Sequence, residues 1–583
     1  MIRAEKLSYG FPQKDLFHKI SFSLEKGCHC ALIGSNGAGK TTLIRLLRHS
    51  EDFLYDGKLT LEGVGRMGYV SQFAQRDKDQ DMTVFSYLSQ DFLHLEAETA
   101  DVCAQMESAE DLDALLERYQ ALLDESDSMD LEHYEVNIHR QLRLAELGDK
   151  AELPLSALSG GEYKLVQVIR EMLRRPGLLI MDEPDVFLDF ENLTGLRDLI
   201  NAYGDTLLVV THSRYLLSHC FDRIWHLENG DLQEYEGSYS AYQHARLQQK
   251  IDLRLASIKD ENEIQRITAL VERLRDDATE VIDPQKGRTL KGKVSYLERL
   301  EKRRIKTPFV EIREPEIAFP AVEEPQDSQA LLQVENYSLS FEETLLQNVS
   351  FSVHAGEKVA LVGPNGTGKT SMLREIRRGE NSAIRFDDVA RVGYFSQLHE
   401  EVLQEDRSIY EEFYALGFPT PASVEEHLSH YCFDSEGLHR NVGQLSGGEK
   451  NLLQLAKLAV GDFNLLLLDE PSSHLDTFAQ QALEKALADY KGAVLMVSHD
   501  FYHIANCADQ ILYVENGTVR PMSPRAFRKM IYKHHFEKDY LELEQQKTEL
   551  ETKIARLLEA GDCAQAQVLC DQLGAVVSRM SRS

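Results

Sequence analysis

The chain is 583 residues long, room for three or four domains of ordinary size, and its 43% hydrophobic and 27% charged residues exclude a disordered or fibrous protein. Lys and Arg number 64 against 96 Asp and Glu, and a formal charge of −32 excludes binding to nucleic acid or an anionic membrane unless basic residues are gathered in one place. No apolar run approaches the ~20 residues that cross a bilayer, the start MIRAEKLSYGF lacks a signal peptide's apolar stretch, and eight cysteines without a CxxC pair read as reduced thiols, so a cytoplasmic location is expected.

In chain order, the strand-like run CALI leads into Gly34, Ser35, Asn36, Gly37, Ala38, Gly39, Lys40, Thr41 and Thr42, and the helical pattern TTLIRLLR follows. Strand, glycine loop and helix are the context that a phosphate-binding loop requires. Gln72 closes YVSQ. Between Asp91 and Glu135 stand fifteen acids and one base, Arg118, with Leu112, Leu115, Leu116, Tyr119, Leu122 and Leu123 at helical spacing. This predicts a helical hairpin or arm over about 85–140 with one apolar face, or else a solvated acidic decoration. Ser159, Gly160 and Gly161 lie in LSGGE, Asp182 and Glu183 end the apolar run of LLIMDEP, and His212 ends LLVVTH.

From Ser238 the pattern turns charged and helical, with Ile251, Leu255, Ile258, Ile264, Ile267, Leu270 and Leu274 in helical register. A break at Asp283, Pro284, Gly287 and Gly292 and a second helix from Val294 to Lys306 predict an antiparallel hairpin. Nine bases against three acids lie between Asp283 and Lys306, with Arg288, Lys291 and Lys293 at the turn, which makes this the candidate phosphate contact. Pro315 to Pro325 reads as a flexible joiner. The second half then repeats the first: VALV precedes Gly363, Pro364, Asn365, Gly366, Thr367, Gly368, Lys369, Thr370 and Ser371; Gln397 closes YFSQ; Ser446, Gly447 and Gly448 lie in LSGGE; Asp469 and Glu470 end LLLLD-E; His499 ends VLMVSH. The tail beyond Arg520 is helical, and from Phe536 on it has nine acids and six bases, a poor composition for gripping DNA.

Ser159 to His212 and Ser446 to His499 are the same 53 residues apart, so the halves share one fold there. Paired phosphate loops and LSGGE motifs resemble the ATP-binding-cassette ATPases over nearly the whole chain. Two cassettes around a charged helical linker, with YEGSYSAYQHAR leaving the first, resemble the ABC-F group of soluble, ribosome-associated ATPases. The resemblance implies an α/β fold with two P-loop nucleotide-binding domains, 1–237 and 331–525, a hairpin linker and joiner, 238–330, and a helical extension, 526–583.

The cofactors expected are ATP and Mg²⁺. Loop N–H groups and the helix start would hold phosphates, Lys40 and Lys369 would reach the β- and γ-phosphates, and Thr41 with Asp182, and Thr370 with Asp469, would hold Mg²⁺. Glu183 and Glu470 are placed to orient or deprotonate water. By resemblance His212 and His499 sense the γ-phosphate and Gln72 and Gln397 lie near metal and water. Phe11 and Phe341 are candidates to stack on adenine, with Tyr9 the rival in the first half. The resemblance further implies composite sites, Lys40 with Ser446 and Lys369 with Ser159, in a monomeric chain whose cassettes form an internal pseudo-dimer.

One departure is visible: the family's loop after Asp-Glu-Pro keeps Ser472, Ser473, His474, Leu475 and Asp476 in the second half but reads Asp185, Val186, Phe187, Leu188 and Asp189 in the first, which points to unequal turnover. The partner implied is the ribosome, with RNA at the basic linker and a basic ribosomal protein at the acidic arm, for a translation factor or an antibiotic-resistance protection protein. A DNA-binding repair ATPase and the ATPase module of a transporter stand as alternatives.

Overall fold

A computed structural model describes the chain apart from residues 1, 12–13, 73–80, 107–111, 187, 281–292, 295, 297–313, 321, 323–329, 342–343, 436, 534–537 and 581–583. In each half the runs that end in Asp are buried along their whole length: Leu178–Asp182 and Leu465–Asp469 show no inside-outside alternation. That is the signature of a parallel strand covered on both faces.

The first half forms β1 (Ile2–Phe11), β2 (Lys14–Leu24), β3 (His29–Ile33), β4 (Asp56–Leu61), β5 (Met67–Val70), β6 (Leu178–Asp182), β7 (Thr206–Val210), β8 (Arg223–Glu228) and β9 (Asp231–Glu236). The second forms β10 (Ala330–Ser340), β11 (Thr344–His354), β12 (Lys358–Val362), β13 (Ile384–Phe386), β14 (Val392–Phe395), β15 (Leu465–Asp469), β16 (Ala493–Val497), β17 (Gln510–Glu515) and β18 (Thr518–Met522). Their main sheets have the equivalent orders β5-β6-β7-β3-β8-β9 and β14-β15-β16-β12-β17-β18, parallel but for the last pair of each. Each has a small antiparallel sheet, β2-β1-β4 or β11-β10-β13. The cores match too, around Phe17, Leu32, Leu43 and Trp225 in one and Tyr337, Leu361, Leu373 and Val514 in the other.

The chain divides into two compact units, and both cassettes belong to the first, Met1–Glu236 with Arg313–Ile531. The arm is a hairpin of Val84–Met106 and Asp113–Met129, followed by a further helix, Tyr134–Leu144. Its expected apolar stripe is buried only at Leu122; Leu112 and Leu116 are exposed. Arg118 pairs with Glu98 across the hairpin, while Asp91 ties its base to Arg170 at 3.0 Å and Arg174 at 2.8 Å. Of the joiner, residues 314–320 are extended and docked on the second cassette: Ile317 is buried, Glu316 N–H donates to His430 O at 2.7 Å, and Phe319 meets Tyr490 edge to face.

The second unit is Gly237–Ile312 with Tyr532–Ser583. A single helix spans Tyr239–Glu280, ~63 Å at 1.5 Å per residue. The tail forms two helices, Lys538–Glu559 and Cys563–Met580, that turn at Gly561 with φ 79°. Ile554, Leu558, Cys570, Leu573 and Val577 close around Ile251, so linker and tail, separate by composition, share one core. Tyr296 donates to Glu263 at 2.8 Å, so residue 296 lies beside the long helix. Arg288, Lys291 and most of the expected second linker helix lie outside the described residues, whereas Lys293 is helical, 6.0 Å from the Tyr296 ring. Among the described residues no helix is long and apolar enough to cross a membrane.

Candidate functional site

Each phosphate loop is shaped by its glycines. A Cβ on Gly34 would lie 2.1 Å from Leu227 O, and Gly37 and Gly39 take φ of 79° and 102°. The helices Lys40–Arg48 and Lys369–Arg378 start at left-handed Gly39 and Gly368, with no side chain capping their first N–H groups. Those donors and the positive helix end are left for an anion. Lys40 Nζ lies across its loop, donating to Gly34 O at 2.9 Å and Ser35 O at 3.0 Å; Lys369 Nζ does the same to Gly363 O at 2.8 Å and Pro364 O at 2.6 Å. Burial lowers the pKa of both ammoniums, opposed at Lys40 by Asp476 and Glu183.

Strands β6 and β15 deliver the carboxylates. Thr370 Oγ1 donates to Asp469 Oδ1 at 2.9 Å, and Thr41 hydrogen-bonds Asp182. Asp469 Oδ2 is shut from solvent without a partner. A hydroxyl, a carboxylate and an open carboxylate oxygen are the hard donors that suit Mg²⁺ completed by water and phosphate. The next residues, Glu183 and Glu470, hold φ of 47° and 51°, a strained left-handed backbone repeated in both halves. Burial raises the Glu183 pKa to about 7, with Lys40 opposing and Asp185 adding, and Gln72 Nε2 donates to Glu183 Oε2 at 2.6 Å. Burial and Asp469 likewise push Glu470 up; its partner is His499, whose backbone N–H donates at 3.1 Å and whose Nε2 lies 3.5 Å away. His212 is buried with neither ring nitrogen bonded, and burial and the Lys40 charge hold it neutral. Burial and Lys369 lower His499 to about 3.

The cassettes meet at these loops. Asn36 N–H donates to Asp476 Oδ2 at 3.0 Å and its amide to His474 O at 2.9 Å; Asn365 N–H donates to Asp189 Oδ2 at 2.9 Å. A Cβ on Gly448 would strike the Asn36 amide at 1.9 Å, which places the second signature on the first phosphate loop. Conversely, Ser159, Gly160 and Gly161 share a cavity of about 560 Å³ with Gly366, Lys369, Thr370, Ser371, Gln397, Glu470 and His499. The pairings Lys40 with the Ser446 signature and Lys369 with Ser159 are thus the ones the fold assembles. Ser159 and Ser446 also open their helices in capping boxes with Glu162 and Glu449, a local role that the S-x-x-E spacing carries.

Phe11 and Phe341 are 53% and 68% exposed; Tyr9 is engaged with Phe17 and Phe53 and meets Phe11 edge to face at 5.7 Å, so the phenylalanines are the more open rings. Asp189 and Asp476, in the loop after Asp-Glu-Pro that the sequence singles out, act across the cassette boundary. Two groups escaped sequence reasoning. Buried Arg214 reaches Glu484 and Asp500 of the other cassette. Lys164, 3% exposed, sits in an amphipathic run that reads as surface.

The ABC transporter family profile matches residues 17–186 and 346–473, half of the chain, and a second ABC transporter profile matches 225–319. The uncharacterized ABC transporter ATP-binding protein YfmM of Bacillus subtilis is 28% identical over 520 residues, 86% of this chain and 96% of its own. ABC transporter F family member 5 of Arabidopsis thaliana is 26% identical over 536 residues, 88% and 75% of the two chains. A solved complex of archaeal ribosomal stalk protein aP1 with ribosome recycling factor aABCE1 shares the fold, with TM-score 0.53 and 17% identity over 91% of this chain and 92% of that one. Tandem cassettes, paired loops and paired signatures together place the chain in the ATP-binding-cassette family, as a two-cassette ATPase of the ABC-F type.

Proposed function

We propose that the chain is an ATP-driven clamp that acts on the ribosome. The observation that carries the clamp is the reciprocal pairing of Asn36 with Asp476 and Asn365 with Asp189, which sets each signature opposite the other cassette's phosphate loop. ATP bound there makes its γ-phosphate contacts only when the cassettes are together, so it shifts the population to the closed state. Loop N–H groups and Lys40 or Lys369 bind the phosphates. Thr41 with Asp182, and Thr370 with Asp469, hold Mg²⁺, which supplies charge neutralisation at the phosphate oxygens. Glu183 or Glu470 accepts the proton of the attacking water, and a carboxyl raised toward neutrality suits that task. Gln72 orients Glu183, Gln397 lies at the second site, and neutral His212 and His499 present an N–H to the γ-phosphate. Phe11 and Phe341 stack on adenine.

The ribosome is supported by charge and by likeness. A net +6 between Asp283 and Lys306, the stretch that follows a ~63 Å helix in sequence, stands against −32 overall, a sign suited to RNA. The arm's −14 suits a basic protein. Structures of the same fold come from a ribosome recycling factor and a ribosome-bound ABCE1. The test is sedimentation of Glu183→Gln, Glu470→Gln chain with ribosomes and ATP. Cosedimentation that needs ATP is expected; its absence removes the ribosome and leaves a tandem ATPase with another partner.

A further inference from the structure

Two departures between the halves meet at one place. Lys164 follows the signature serine by five residues, where the second cassette has Asn451; Asp185 follows Glu183 by two, where the second has Ser472. Lys164 lies on the buried side of the helix Gly160–Leu173, and its ammonium donates to Ser71 O and, at 3.0 Å, to Gln72 O. Of the carboxylates that act on it, Asp185 is foremost, ahead of Asp182 and Glu183. Asp185 hydrogen-bonds Thr211, and its other oxygen, closed off from solvent, is unbonded. The loop that Lys164 grips is the one that sends Gln72 Nε2 to Glu183.

The second cassette solves the same task without charge. Gln454 holds the corresponding loop through both atoms of its amide, accepting from Ser396 N–H and donating to Ser396 O at 3.0 Å each, while Asn451 turns to Ser473 O. In the first cassette Gln167 stands where Gln454 does, and the grip on the glutamine loop comes instead from Lys164, a cation three residues earlier on the same helix. A buried ammonium is costly unless it is hydrogen-bonded, and the two carbonyls of the glutamine loop supply that compensation.

We propose that Lys164 is a positioning residue of the Lys40 site: it fixes the glutamine loop so that Gln72 meets Glu183. Because its helix begins at Ser159, which lines the Lys369 cavity, the tie joins the loop of one site to the signature of the other about one and a half turns away.

The inference rests on Glu183 as the base of the Lys40 site, so that reading is checked first, by single-turnover ATP hydrolysis of the full chain carrying Glu183→Gln. In a Glu470→Gln background, Lys164→Asn is expected to slow the remaining turnover roughly tenfold to a hundredfold, with the KM for ATP within about twofold. In a Glu183→Gln background the same change should leave turnover within about twofold. Lys164→Arg should keep most of the rate. The double variant Lys164→Asn, Asp185→Ser reproduces the neutral combination of the second cassette; it should melt as the parent does and still be slow. Normal turnover in that double variant, or equal loss in both backgrounds, overturns the proposal. Loss with Glu183→Gln but not with Lys164→Asn defeats it alone; no loss with Glu183→Gln defeats the underlying reading.

Discussion

The backbone N–H of Asn36 donates to Asp476 Oδ2 while Asp476 Oδ1 caps the helix Thr477–Asp489 through Phe478 and Ala479 N–H, so one carboxylate joins a helix start to the opposite phosphate loop. Asp189 does the same for Asn365, capping at Asn192 N–H. Asp476→Ala removes a cap and a charge-assisted bond, a cost of ~2–3 kcal/mol. We expect a lower melting temperature and weaker ATP-dependent closure, read as the distance between labels on the two cassettes. Asp476→Asn, which keeps an acceptor for the cap, should fall between. Unchanged closure in Asp476→Ala would refute the role.

Glu183 adds a pH signature. Its pKa in the fold is about 7 against an ordinary 4.5, so the protonated form is the one the nucleotide-free fold prefers. The associated stability is present below pH ~4.5 and is lost as pH rises through ~7, a difference of ~3 kcal/mol. Without nucleotide or Mg²⁺, Glu183→Gln should therefore melt higher than the parent at pH 8 and alike at pH 4. A constant offset at all pH values would count against burial as the cause.

The sites should turn over unequally. Glu183 is held by a glutamine and Glu470 by a histidine, and Asp185 stands in the first cassette where Ser472 stands in the second. Single-turnover hydrolysis should fall by different fractions in Glu183→Gln and Glu470→Gln; equal losses would refute the asymmetry.

The arm depends on Asp91. Burial opposes its charge, but Arg174 and Arg170 hold the carboxyl at about 2, below an ordinary 3.8. Its contribution is present above pH ~3.8 and lost as pH falls through ~2. Discounted for its partial exposure, that is ~1–2 kcal/mol. Asp91→Asn should speed hydrogen exchange in Val84–Met106 at pH 7 and leave the phosphate loops protected as before.

The two cassettes were legible because their chemistry repeats at fixed spacing and their strands are unbroken apolar runs: Lys40, Lys369, Asp182 and Asp469 all stand where the repeat puts them. The tail was legible only as a helix. Leu550, Ile554 and Leu558 declare an apolar face, but nothing local says that Ile251 lies against it. Likewise Tyr9 and Phe11 are equivalent in sequence until packing half-buries the first against Phe17 and Phe53 and leaves the second at its edge, 53% exposed. Lys164 was hidden because a lysine among apolar residues reads as a solvated position, and the carbonyls it grips, those of Ser71 and Gln72, are remote in sequence.

The pairing of Ile251 with residues 554–577 sets an order of events during synthesis. On the order of 300 residues separate the two sides of that core, and at ~5–20 residues per second their translation takes roughly 15–60 s. Throughout that interval the newly made helix presents Leu247, Ile251 and Leu255 without their partners, while both cassettes have time to fold. The second unit is therefore the last part of the molecule to be finished, and a ribosome stalled before the tail would release a chain with two complete cassettes and an apolar stripe open to chaperones.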